Sequence, residues 1–121
     1  SMPAAPMPDP DDDDDTWISK GNKDHLLDRH DPNRVAKQTK HISNKSSLEK
    51  RTYFNASWNE NKILRAIKTG YDQAIAAGIR NGNYIFTYAG EKVTVVIANG
   101  YVKTAFGDCR YSWIDLFSLL Q

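Results

Sequence analysis

Tyr84–Phe106 reads YIFTYAGEKVTVVIANGYVKTAF, and this stretch decides the fold. Tyr84 to Tyr88, Lys92 to Ala98 and Tyr101 to Phe106 are runs of β-branched and aromatic residues. Such side chains suit a pleated, half-buried surface. Ala89-Gly90 separates the first two runs and Asn99-Gly100 the second and third. Asn-Gly is the strongest short signal for a two-residue hairpin turn, so Asn99-Gly100 is read as structural. The stretch predicts a three-stranded antiparallel meander.

Upstream the period changes from 2 to 3.6. Ile63, Ile67 and Tyr71 recur at i, i+4 and i+8, with Leu64 and Ile75 beside them, which predicts an amphipathic helix. Ser57-Trp58-Asn59-Glu60 fits a capping box with Ser57 as N-cap. Gly70 weakens the middle of this helix and Gly78 fits its C-cap. Downstream, Ser112 opens a short helix through Ile114, Leu116, Phe117 and Leu120. Residues 16–31 read as a helical piece carrying Ile18, Leu26 and Leu27, ended by Asp31-Pro32. The polar, basic stretch 33–50 predicts a loop or one short helix. The order implies an α+β domain, with N-terminal helices packed on a small antiparallel meander and a short C-terminal helix.

The 121 residues suffice for one domain, and thirteen aromatics argue against a disordered chain. The exception is 1–15, which carries four of the five prolines and six Asp and reads as a disordered acidic linker to something upstream. Residues 16–121 form the expected domain. No apolar run is long enough to span a membrane, and no secretory signal is visible. Cys109 is the only cysteine, so neither an intramolecular disulfide nor a Cys-based zinc site is expected. It reads as a partly buried bystander. Trp58 and Trp113 are expected to pack, whereas Trp17 borders the linker and could meet RNA or a partner.

The formal charge of +1 averages two unlike pieces. Outside the six Asp of the linker, nine acids face sixteen bases, a net of +7. Stretch 16–51 alone holds nine Lys/Arg against four acids, and all three His. A basic domain points to a polyanionic partner, nucleic acid above all.

His25, His30 and His41 lie within seventeen residues, among Arg29, Arg34, Lys37, Lys40, Lys50 and Arg51. Imidazoles beside fixed cations can supply the proton acceptor, proton donor and positive charge of phosphodiester chemistry. The same charges could equally form a solvated face. His25 and His30 stand about 140° apart on a continuous helix. They converge only if the helix breaks between them or the ligand lies across its end. No ligand spacing for a metal is present.

At these residues the chain resembles the bacterial EndoU-type ribonuclease toxin domains. Asp24-His25-Leu26-Leu27-Asp28-Arg29-His30 is similar to that family's His-x-x-x-Arg-His element. Arg51-Thr52-Tyr53-Phe54 stands where the family has a basic Lys-Ser/Thr-x-Phe element before a helix. Lys103-Thr104-Ala105-Phe106-Gly107 stands where it closes a strand with Thr-Ala-Tyr. The likeness covers about residues 24–107. Arg51 replaces the family's Lys, with Lys50 next to it, and Phe106 replaces its Tyr and lacks the hydroxyl. The stretch 33–50 is longer than in the family and inserts Lys40-His41, which leaves a His25–His41 pair open.

The resemblance implies the fold group of barnase and the colicin D-type and RelE-type nucleases. It implies metal-independent cleavage of RNA, with tRNA the expected class, by attack of the ribose 2′-hydroxyl, giving a 2′,3′-cyclic phosphate and needing no cofactor. His25 and His30 would be base and acid in unassigned order. Arg51 would stabilise the phosphorane. Thr104, with Val102 and Phe106 on its own face by strand alternation, would orient the phosphate or a base. Arg29, Lys37, Lys40, His41 and Lys50 would bind RNA. Such domains form the C-terminus of large toxins of interbacterial competition and contact-dependent growth inhibition. They are secreted or displayed at the cell surface, act in the target cytoplasm and are neutralised by a cognate immunity protein. Two other readings remain: a non-catalytic RNA- or protein-binding module, and a colicin-type nuclease built on Lys40-His41.

Overall fold

The computed structural model of the chain describes residues 17–38 and 46–120. The predicted meander is present as β1 (Gly82–Tyr88), β2 (Glu91–Ala98) and β3 (Tyr101–Phe106), antiparallel in the order β1-β2-β3. Both connections are two-residue turns with left-handed backbone: φ is 50° and 82° at Ala89-Gly90, and 53° and 83° at Asn99-Gly100. Positive φ at both central residues is the type I′ signature, whose twist matches the flanking strands.

The helices precede and follow this sheet. They are α1 (Lys20–His30), α2 (Pro32–Gln38), α3 (Ser46–Glu49), α4 (Glu60–Ala76) and, after the sheet, α5 (Trp113–Ser118). The chain is therefore α+β, with α4 over β1 and β2 and α1 over β3. Ile63, Ile67 and Ala74 of α4 and Leu26 and Leu27 of α1 share one core with Val93, Val95, Ile97, Val102 and Ala105. Trp17 belongs to this core and is not a docking residue: it is 4% exposed, and its carbonyl accepts the Val102 N–H at 2.8 Å. Gly70 gives up helix propensity for a ring contact, since a Cβ there would overlap the Phe86 ring.

The helix ends differ in detail from the sequence reading. The N-cap of α4 is Asn59, whose side chain accepts from the Lys62 N–H, and not Ser57. The Ser57 hydroxyl instead donates to Asn55 Oδ1 at 2.7 Å. Gly78, at φ 83°, lies one residue past the Ala77 cap, and the Ile79 N–H returns to the Ala74 carbonyl in a Schellman arrangement. Asp31-Pro32 ends α1 but also starts α2, with Pro32 at the first helical position and Asp31 Oδ1 accepting the Asn33 N–H.

A further correction, on β3, bears on the site. Val96 pairs with Thr104 but Ile97 pairs with Val102, so Lys103 is an extra residue, a β-bulge, on β3. Alternation is broken there. Val102 and Ala105 both point into the core, while Thr104 and Phe106 share the opposite face. Val102 is thus not on Thr104's face.

Trp113 is 39% exposed on α5, so it is covered only in part. Trp58 is buried as expected, stacked on Phe54. A second small core of Val35, Ala36, Leu48, Tyr53 and Leu116 ties α2, α3 and α5 together. Among the described residues no helix is long and apolar enough to cross a membrane. The expected linker, 1–15, lies outside the described residues.

Candidate active site

The sequence Arg51-Thr52-Tyr53-Phe54 forms a strap between α1 and the end of β3. Tyr53 exchanges two backbone hydrogen bonds with Cys109, at 2.6 and 2.9 Å. The Phe54 N–H donates to the His30 carbonyl at 3.0 Å. His30 Nδ1 stands 2.7 Å from the Thr52 carbonyl oxygen. A carbonyl only accepts, so this contact puts the proton on Nδ1 and leaves the Nε2 lone pair for other work. Gly107 makes the strap possible. A Cβ there would overlap the Tyr53 carbonyl oxygen and come within 2.9 Å of Phe54 Cα.

An open cavity of about 650 Å³ lies between the strap, α1 and the outer face of β3. Asn22, His25 and Arg29 reach it from one stripe of α1, spaced i, i+3, i+7. His30 reaches it from the last position of the same helix. The helix does not break between the two imidazoles, and both line the cavity from its C-terminal half. Arg51 and Thr52 line it from the strap, and Thr104 and Phe106 from β3. The Phe106 ring lies 5.7 Å from the His30 ring, centroid to centroid, and closes that side with an apolar surface.

The lining carries Arg29, Lys50, Arg51 and Lys103 and no carboxylate among the described residues. His30 is half-buried here, and burial, more than any other cause, pushes its pKa below the ordinary imidazole value. The Thr52 hydrogen bond opposes this, while the nearby charges of Arg29, Arg51 and His25 push it the same way. A neutral imidazole with a fixed tautomer is a proton acceptor at neutral pH.

The structure thus brings together His25, His30, Arg51, Thr104, Arg29 and Lys50. It does not bring Lys37 there: Lys37 borders a separate hollow with Asp31, Trp58 and Glu60. Arg34 borders that hollow too, held by Glu60 at 2.7 Å and Asp28 at 3.3 Å, so its charge is spent on joining α2 to α1 and α4. The Pro32 corner turns both residues away from the cavity. Lys40 and His41 lie outside the described residues. Asn22, Ser47 and Lys103 line the cavity without having been singled out. Lys103 was legible as a charge but not as a lining residue, because only the bulge brings it there. The Cys109 thiol is pushed up by burial and then by the Glu91 carboxylate, 3.7 Å away. It is kept as a thiol, not a nucleophile.

No family model, no curated protein and no solved structure matches the chain. The functional reading therefore rests on the geometry of the cavity and on the motifs read in the sequence. Among the described residues no group of three or more His, Cys, Asp or Glu is placed to hold a metal ion.

Proposed function

We propose that this chain is an endoribonuclease toxin domain that cleaves RNA, tRNA being the expected class, through attack of the 2′-hydroxyl on the adjacent phosphate. The observation that supports this reading is the meeting of two imidazoles and four cations in one cavity free of carboxylates among the described residues. His30 is assigned as base. Its Nε2 takes the 2′-hydroxyl proton as the O2′–P bond forms. His25 is assigned as acid and gives a proton to the departing O5′ as the P–O5′ bond breaks. The products are a 2′,3′-cyclic phosphate and a 5′-hydroxyl. Arg51 stabilises the charge gathered on the phosphorane oxygens, and Thr104 hydrogen-bonds the phosphate or a base. Arg29 and Lys50 hold the flanking backbone. The 2′-hydroxyl requirement makes DNA a non-substrate.

In this reading the domain is the C-terminal module of a secreted or cell-surface toxin of competing bacteria, acting in the target cytoplasm. A cognate immunity protein with an acidic surface fits the basic cavity by electrostatic complementarity.

The test is incubation of the purified chain with total RNA in excess chelator. Cleavage to ends carrying a cyclic phosphate is expected, and RNA 2′-O-methylated at the cut site resists. Binding without cleavage across several RNA pools overturns the enzyme reading in favour of a binding module.

A further inference from the structure

The bulge at Lys103 moves more than the cavity residues. Ala98 pairs with Tyr101, Val96 with Thr104 and Thr94 with Phe106. Ala98, Val96 and Thr94 alternate on one face of β2, so Tyr101, Thr104 and Phe106 share that face although Tyr101 and Thr104 are three apart in sequence. Without the bulge Tyr101 would point with Ala105 into the core. With it, Tyr101 is 53% exposed on the face that carries the cavity.

A second hollow, of about 520 Å³, lies there, lined by Ser19, Asn22, Ala98, Asn99 and Tyr101. It adjoins the cavity, because Asn22 lines both. Asn22 is fixed between them by its side-chain amide, which donates to the Val102 carbonyl at 3.3 Å, next to the bulge. One strand repeat, about 6.6–6.8 Å, separates neighbouring side chains on a face. That is the scale of one nucleotide step in an extended single strand. Polar groups and one exposed aromatic ring line this hollow, and aromatic rings serve as sequence-tolerant platforms for unpaired bases.

We infer that the Tyr101 hollow is a second nucleotide subsite, where the base next to the nucleotide in the His25–His30 cavity stacks on the Tyr101 ring. This rests on the reading of that cavity as an RNA-cleavage site. The substrate class that follows is single-stranded RNA of at least two nucleotides, since a paired base would first have to unpair and unstack, which costs free energy.

The experiment measures binding without turnover. The probes are a non-cleavable, 2′-fluoro-substituted single-stranded hexanucleotide pool and a nucleoside 3′-monophosphate, which fills the cavity only. Tyr101→Thr keeps a β-branched strand former, and Tyr101→Phe keeps the ring. Tyr101→Thr is expected to weaken hexanucleotide binding about five- to hundredfold and mononucleotide binding by less than about twofold. Tyr101→Phe keeps both near wild type. An unchanged hexanucleotide affinity in Tyr101→Thr overturns the subsite, as does an equal loss for both probes or no hexanucleotide binding by the wild-type chain. Failure of the wild-type chain to cleave any RNA overturns the ribonuclease reading alone, because this measurement needs no cleavage.

Discussion

At the residue scale the proposed reaction turns on His30. The Thr52 carbonyl fixes its tautomer, and burial favours its neutral form. A base works only when unprotonated, so activity is lost as pH falls through the pKa of His30 in the folded chain. Because that pKa is lowered, the acidic limb of the kcat/KM profile is expected below the ordinary imidazole value of about 6.5. Arg29 is one of the charges that lower it. Arg29→Gln removes a positive charge, makes protonation easier and should shift the limb upward, toward 6.5. A limb that stays put or moves down counts against His30 as the base. His25→Ala and His30→Ala should each lose roughly 10²–10⁴-fold in rate. The double variant should lose little more, since members of one catalytic unit are non-additive. Full activity in His30→Ala with loss in His41→Ala would move the pair to His25 and His41.

At the element scale the site depends on how closely the strap approaches β3. Gly107→Ala must push the Tyr53 carbonyl away, and Thr52 beside it carries the His30 contact. A displacement near 1 Å costs on the order of 10²-fold in rate, so Gly107→Ala should lose at least tenfold in kcat and also shift the acidic limb. Gly21→Ala is the control: α1 leaves open space there, so stability should rise by up to ~1 kcal/mol with the rate unchanged. Equal rates in both variants would show that the strap does not position His30. The elements themselves were largely legible. The strands, both turns and α4 follow from alternation, from Asn99-Gly100 and from the Ile63–Ile67–Tyr71 period, all local signals. The bulge was not legible, because register is settled between strands and by Trp17-Ile18 docking on Val102. The capping-box pattern pointed to Ser57, but Asn59 caps α4, while the Ser57 hydroxyl is engaged by Asn55. The site residues were legible as types and spacings. Their convergence was not, since it depends on where α1 ends against the strap.

At the scale of the whole molecule, charge would decide how the proposed RNA substrate is met. Arg29, Lys50, Arg51 and Lys103 gather at one cavity in a domain of net +7, behind six Asp in residues 1–15. Each cation that neutralises a phosphate of a single strand contributes about −0.7 to the slope of log affinity against log salt. All four engaged together give a slope near −3, and Lys103→Ala should flatten it by about 0.7. The six Asp could act against this by competing with RNA for the basic face. At physiological ionic strength, exposed charges more than about 8 Å apart are largely screened. Only those Asp lying within that distance of the cavity can weaken binding there. Removal of residues 1–15 should therefore change RNA affinity by less than about threefold at physiological salt, and by more at low salt, where the screening length grows to about 30 Å at 0.01 M. The measurement is RNA affinity for the full and shortened chains across a salt series. A gain that shrinks as salt rises fits screened, non-specific repulsion of RNA by the Asp run. A large gain that persists at high salt requires a docked acidic segment, held by contacts that screening does not remove, and would overturn the reading of 1–15 as a linker.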